Sequence, residues 1–158
     1  MGFLDGLFGN ILLTFLVAMV PVLELRGAIP FGVARDLNLW VAIGAAIVGN
    51  LVPVPFIILF IRRVFAWMRS MSRRLDGLVT RLENRAESKR ATVERYAFWG
   101  LVILVAIPLP GTGAWTGSLV AAMMDMRLKR AFPAIAVGVI IAAVIVSVVT
   151  YGAQIIIE

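Results

Sequence analysis

The chain contains no cysteine and no histidine. The first absence excludes a disulfide framework and a thiolate metal site. The second removes the commonest general base and the commonest metal ligand. A Ser–His dyad for intramembrane proteolysis is excluded with it, and so is a Cys–His pair. An aspartyl mechanism needs two membrane-buried Asp residues, but Asp5, Asp36 and Asp125 all fall at the edges of apolar stretches. The sequence therefore predicts no enzyme, no catalytic residue, no metal and no cofactor. Charge is also scarce, at 15% of residues against about 25% in soluble domains.

In place of charge there is apolar bulk. The 158 residues suit one domain, 61% of them are hydrophobic, and the mean hydropathy is +0.99. This excess over the ~45–50% of soluble domains points to lipid. The net charge of +6 is unevenly spread. Ten of the fifteen Lys and Arg lie between Arg62 and Arg95, three more are Arg127, Lys129 and Arg130, and only Arg26 and Arg35 fall elsewhere. A basic chain can bind nucleic acid, but here the apolar bulk argues for basic loops facing the cytoplasm and anionic lipid headgroups; no nucleic-acid partner is expected. The opening MGFLDGLFGN has no basic region and no small-residue cleavage site follows it, so the first apolar stretch is expected in the mature protein.

Four apolar stretches run from about Leu7 to Ala34, Leu39 to Ile61, Phe98 to Met124 and Ala131 to Ile157. The second and fourth are long enough to span a bilayer, which takes about 20 residues, although Gly49-Asn50, Pro53 and Pro55 interrupt the second near its middle. The first is broken by PVLELRGAIP and the third by PLPGTGAWTG. Pro removes an N–H and clashes with the preceding turn, so each broken stretch is either a kinked span or a re-entrant hairpin surrounded by protein or water. Charge favours the hairpin. With Arg62–Arg95 cytoplasmic, Arg127, Lys129 and Arg130 lie on the same side only if the third stretch turns back. The same logic makes the first stretch a hairpin with both ends outside, beside Asp5 and Asp36. The expectation is an all-α integral membrane protein of the cytoplasmic (inner) membrane, multi-pass, with both termini outside. It has two re-entrant hairpins and two spanning helices as an inverted repeat. The halves are 1–62 and 97–158, with a cytoplasmic amphipathic helix over 63–96. Weak self-similarity agrees: Val20-Pro21-Val22 parallels Ile107-Pro108-Leu109, and Gly49 and Gly138 follow Asp36 and Asp125 at the same spacing.

In the linker, Met68, Met71, Leu75, Leu78 and Leu82 recur at helical steps, while Arg69, Arg73, Arg74, Arg81 and Arg85 crowd the remaining surface. This reads as a helix lying on anionic headgroups, with a lipid-phosphate recruiting surface or a dimer contact as the alternatives. Trp40, Trp67 and Trp99 fall near helix ends, where aromatic belts sit.

Glu24 and Arg26 are the charges placed within an apolar stretch. A single charge at the bilayer centre costs roughly 2.5–3.5 kcal/mol on insertion scales. The pair is either a salt bridge pinning a hairpin tip or a working site in which Arg26 binds an anionic group and Glu24 takes and releases a proton. Asn50, beside the Pro53/Pro55 break, either bonds freed carbonyls or lines a cavity. Thr112, Thr116 and Ser118 offer hydroxyls near the second tip, where N–H groups at a half-helix start suit an anion; equally, the motif only shapes a turn. PLPGTG lacks the Lys-Ser/Thr of a nucleotide loop. Pro21, Gly27 and Pro30 shape the first hairpin; Pro108, Pro110, Gly111, Gly113 and Gly117 shape the second, the last two by allowing close helix contact.

ELRGAIPFG and IPLPGTGAWTGSLVA, at this separation, resemble the small multidrug export protein family over essentially the whole chain. That family is distantly similar to the DedA/VTT superfamily. The resemblance implies two facing re-entrant hairpins with an acid in the first, matched by Glu24, and a link to proton-dependent transport and to lipid flipping. The superfamily's Arg in or after the second hairpin has no match at the tip, the nearest in sequence being Arg127 and Arg130, with Arg26 as a substitute. The expected function is a small proton-coupled transporter or flippase for an amphipathic, lipid-like or drug-like substrate. Its site combines Glu24, Arg26 and Asn50 with Thr112, Thr116 and Ser118, and a homodimer encloses the pathway. The alternative is a non-transporting scaffold or assembly factor acting through the basic helix.

Overall fold

A computed structural model describes residues 6–94 and 96–157; Asp5 and Arg95, which entered the charge argument, lie outside the described residues. Every regular element among the described residues is an α-helix. They are α1 (Leu7–Met19), α2 (Glu24–Ala34), α3 (Leu39–Leu51), α4 (Pro53–Met71), α5 (Arg73–Glu94), α6 (Phe98–Ala106), α7 (Ala114–Met123) and α8 (Leu128–Ile157). The chain divides into two compact units: Met1–Pro53 with Val139–Glu158, and Val54–Gly138.

In the first unit α1, α2 and α3 pack on one another. α1 stops at Val20, whose ψ of 127° is extended, because Pro21 disfavours helical backbone in the residue before it. The chain turns at once, and the Val20 carbonyl accepts from both Leu23 N and Glu24 N at 3.2 and 2.9 Å. α2 then runs back alongside α1, continuing through Pro30. Its far end returns to the start of α1, where Arg35 Nε donates to Asn10 Oδ1 at 2.7 Å and Asn10 Nδ2 donates to the Arg35 carbonyl at 3.0 Å. Asp36 ends α2 at a φ of 61°, with Leu37 N bonding back to the Gly32 carbonyl at 3.1 Å in a Schellman-type closure. Asn38 caps α3 by accepting from Trp40 N at 2.9 Å.

Small residues make these three helices fit. Ala18, Ala28, Ala42 and Ala46 are completely buried. A Cβ on Gly32 would sit 2.9 Å from the Thr14 hydroxyl and 3.0 Å from the Ala42 methyl, and one on Gly49 would strike the Phe15 carbonyl. Lipid tails are as apolar as Leu, so close backbone approach of this kind drives association where burial cannot.

α3 and α4 form one helical run, Leu39–Met71, interrupted only by a turn at Val52. Val52 keeps helical angles and its bond to the Val48 carbonyl at 3.1 Å. The helical run therefore continues past the two prolines without the mid-span break expected from them: Pro53 takes the first position of α4, where a proline is best tolerated. Leu39–Met71 and Leu128–Gly152 are long and apolar enough to cross a membrane. Phe56, Leu59 and Phe60 on α4 and Val144, Val148 and Val149 on α8 are exposed, an apolar surface suited to lipid. Trp40, Trp67 and Trp99 are exposed too.

The second unit departs from expectation in its linker. The helix predicted over 63–96 breaks at Ser72, whose hydroxyl accepts from Arg74 N at 3.3 Å and whose carbonyl accepts from Asp76 N at 2.9 Å. Ser is a strong N-cap, and a new helix starts there. α5 packs against α6 and α7, burying Val79 and Ala86, while Met71 and Leu78 of the predicted apolar stripe stay exposed. The operative stripe is Leu75, Val79, Leu82 and Ala86, equally well spaced. Arg69 ties the end of α4 to α5 through Asp76 at 2.6 Å and through Glu83.

α6 ends at Ile107, ψ 116°, again just before a proline. α7 closes at Asp125, φ 53°, with Met126 N bonding to the Ala121 carbonyl at 2.9 Å. Gly117 fits against Val105, and Gly138 of α8 against Val105 and the Val102 carbonyl. Arg62 of α4 reaches the end of α7, donating to the Met123 carbonyl at 3.1 Å and pairing with Asp125 at 2.8 Å.

Candidate functional site

Among the described residues the first unit carries four buried polar side chains: Ser147 on α8, whose hydroxyl donates to the Ala143 carbonyl at 2.6 Å, and one from each of the three packed helices. These three are Thr14 on α1, Glu24 at the start of α2, and Asn50 at the end of α3, which are 0%, 5% and 1% exposed. Thr14 is accounted for locally, its hydroxyl donating to the Asn10 carbonyl at 2.8 Å. Glu24 enters α2 with a φ of 45°, the left-handed region that costs a non-glycine residue about 1–2 kcal/mol. Strain of this kind persists where surrounding structure fixes it, often at functional positions. Arg26 is half-buried on the same helix, and neither it nor Glu24 is without a partner.

Helical register sets Glu24 and Asn50 in relation. Gly32, Thr14 and Ala42 touch in one layer. From that layer α2 leads back eight residues to Glu24 and α3 leads forward eight residues to Asn50, in each case about 12 Å. Both residues therefore sit at the level of the 20–23 turn. Asn50 Oδ1 is fully buried with no hydrogen-bond partner, which is uncommon for a buried amide. Its neighbour Gly49 would ordinarily receive the N–H of residue 53, and Pro53 has none to give.

The second unit handles its polar groups differently. Thr112 is turned into the loop, donating to the Ile107 and Leu109 carbonyls at 2.5 and 2.7 Å and accepting from Leu109 N at 3.1 Å. Ser118 is fully buried, and its hydroxyl donates to the Ala114 carbonyl one turn back at 2.6 Å. Thr116 is half-buried on α7. Of the three hydroxyls expected to face a substrate, two therefore serve backbone carbonyls in their own segment. Gly111 and Gly113 hold φ of 86° and 114°, backbone that favours glycine. A Cβ on Gly117 would run into the Val105 side chain.

Sequence reasoning missed one cation at this tip. Arg127 and Arg130 are nearest along the chain, but it is Arg85 of α5 whose guanidinium lies against Gly111, where any Cβ would meet it. Nothing local to PLPGTG signals this. It follows from the break at Ser72, which folds α5 back onto α6 and α7. The Asn10–Arg35 clamp was also missed, although a polar Asn10 and Thr14 one turn apart in an apolar helix were a readable signal.

Two long apolar helices, short helix pairs joined by Pro/Gly turns, and a buried acid with a half-buried arginine define a helical membrane protein. The family model described as "Putative small multi-drug export protein" matches residues 24–145. The chain belongs to that family. No curated protein and no solved structure matches it.

Proposed function

We propose that the protein is a small exporter in which Glu24, Arg26 and Asn50 of the first unit handle the polar head of an amphipathic substrate, with proton binding at Glu24 driving the cycle. The observation that carries this is the burial of Glu24, on strained backbone, at the level of an unsatisfied Asn50. A fold in search of stability alone gains nothing from either. Burying a carboxylate in lipid surroundings is costly, and such residues mark substrate or proton pathways by default. The family description supports export.

The re-entrant reading of the two broken stretches has support in helix length. α1 and α2 have 13 and 11 residues, α6 and α7 have 9 and 10. At 1.5 Å per residue each reaches about 14–20 Å, half to two-thirds of a ~30 Å hydrocarbon core. The Asn10–Arg35 clamp holds the two ends of the first stretch together, as a hairpin needs and a kinked span does not. The repeat reading has support in matched detail. Val20 and Ile107 end their helices before Pro, Asp36 and Asp125 close the following helices with positive φ and the same back-bond, and Gly49 and Gly138 each press on the helix before the turn.

Transport by purified protein in liposomes tests the proposal. Glu24→Gln is expected to abolish proton-driven export, and Arg26→Ala to weaken it at least tenfold. Full activity in both variants would refute the assignment. Replacing the exposed Arg73, Arg74 and Arg81 by Gln instead distinguishes a scaffold acting through the basic helix: a scaffold loses its role with Glu24 intact, whereas the exporter is lost on Glu24 substitution with α5 intact.

A further inference from the structure

α4 carries an apolar line that its own chain leaves uncovered. Phe56, Phe60, Val64, Trp67 and Met71 are all exposed, and at about 100° per residue they share one sector of about 80°. Val54 and Phe65, on the opposite side of the helix, are buried. Lipid tails account for Phe56 and Phe60, which precede Arg62 and Arg63, the charges that end the apolar run. They do not account for the rest. α4 is a single helix from Pro53 to Met71, so its last turns follow the direction of its inserted part and cannot lie flat on the membrane. At 1.5 Å per residue Trp67 and Met71 stand about 7 and 13 Å beyond Arg62 along the axis. The headgroup layer is only roughly 5–7 Å deep on each side. Trp67 suits that level, but Met71 is carried past it, and at a tilt of about 40° it still stands ~10 Å out.

We propose that a second copy of this chain covers the line, the two α4 helices packing side by side about a two-fold axis along the membrane normal. The spacing supports this. Phe60, Val64, Trp67 and Met71 are separated by four, three and four residues, the alternation of a coiled-coil seam. Orientation supports it as well. The basic residues from Arg62 onward set both copies the same way round in the bilayer, so the two helices run parallel and each line meets its equal, as an isologous contact requires. The charges leave the seam clear. Arg62 and Arg69 lie off the line and are paired within their own chain, with Asp125 and with Asp76 and Glu83. Arg63 flanks the line at a position that in a parallel pair faces Met68 of the partner subunit, not a second arginine. The seam ends where α4 does, at Met71, before Arg73 and Arg74.

The test uses the full chain in liposomes, where the lack of native cysteine makes single thiols informative. On oxidation with copper phenanthroline, Trp67→Cys and Met71→Cys are expected to give disulfide-linked dimers. Ala66→Cys is exposed on the same helix but about 120° from the centre of the line, and it is expected to give at least about tenfold less, because the bond needs Cα atoms within about 7 Å. The second readout is single-molecule photobleaching of protein labelled through Ser88→Cys, across a range of protein-to-lipid ratios. Adding Trp67→Glu and Met71→Glu, both at exposed positions that the fold tolerates, is expected to raise the density needed for half-dimerisation at least about tenfold. Single-step bleaching of the protein without the Glu substitutions at every density overturns the proposal. Equal cross-linking at Ala66 and Trp67 overturns it too, and an undiminished dimer in the Glu variant does so by placing the contact elsewhere. Shielding of Met71→Cys from a water-soluble maleimide in monomeric protein would assign the line to lipid headgroups and overturn it likewise.

Discussion

Two glycines of α3 separate backbone propensity from helix contact within one element. Gly44 has nothing within 4 Å of an added Cβ, while Gly49 would drive that atom into the backbone carbonyl of Phe15 and to 3.1 Å from the Ala18 methyl. Ala at Gly44 therefore gains only helix propensity, about 0.5–1 kcal/mol. Ala at Gly49 gains the same and then loses the contact. A carbonyl oxygen belonging to another helix cannot rotate away as a side chain does. α1 and α3 must part by roughly 1 Å, and overpacking on this scale costs about 1–3 kcal/mol, with the fit of Ala18, Ala42 and Ala46 loosened as well. The shared propensity gain cancels, so the two variants should differ by about 1–3 kcal/mol, or roughly 2–12 °C in apparent melting temperature for a chain of this size. Heating the detergent-purified variants and following the surviving monodisperse fraction by size exclusion measures the difference. Gly138→Ala, facing the Val102 carbonyl at 2.9 Å, should behave as Gly49→Ala does. If Gly49→Ala proves as stable as Gly44→Ala, the three-helix packing described above is wrong.

At the second tip, Gly111→Ala combines a φ of 86° with a clash against Arg85. It should lower the melting temperature, and adding Arg85→Ala should recover part of the loss but not all, because the backbone term remains; no recovery would mean that Arg85 does not lie there. Asp36→Gly and Asp125→Gly should be neutral or slightly stabilising in the same melting assay, and the Val variants destabilising by about 1–2 kcal/mol. The Asp125 result should not differ much from the Asp36 result, since its bridge to Arg62 is largely exposed and such pairs are worth little. Single cysteines at Asp36, Ser88 and Lys129, in a chain with no native thiol to confuse labelling, should place Ser88 and Lys129 on one side of the membrane and Asp36 on the other. Opposite labelling of Ser88 and Lys129 would remove the re-entrant topology.

The parts of this fold legible in sequence are those set by proline, glycine and apolar run length. Pro21 and Pro108 end α1 and α6 where expected, and the two long apolar helices were readable from hydropathy alone. What the sequence concealed are places where two patterns competed. Residues 66–95 hold two apolar stripes of equal quality, and only the cap at Ser72 decides for the one that includes Val79 and Ala86. Pro53 and Pro55 looked like a break because proline usually is one, but Val52 keeps its bond to the Val48 carbonyl and α4 begins at Pro53, so the helical run continues past them. Thr112 and Ser118 looked like ligands because hydroxyls in an apolar chain attract that reading. Yet a threonine at a Gly-rich turn and a serine inside a helix have carbonyls within reach long before any substrate arrives.

That last point bears on where the function resides. Every short helix leaves unpaired N–H or C=O groups at its ends, and at membrane depth each must be answered by protein. At the second tip the answer is internal: Thr112 serves two carbonyls, Ser118 a third, and the Arg85 guanidinium lies over Gly111. The polar capacity of that tip is largely spent on holding its own shape. At the first tip the Val20 carbonyl accepts from Leu23 N and Glu24 N, and the level it defines holds a buried carboxylate and, on Asn50, a buried amide oxygen that accepts from nothing. Two segments alike in length and in their proline and glycine content thus differ in what they have left to offer. Asn50 is what distinguishes them, because a hydrophobic residue there would pack as well and leave no acceptor waiting.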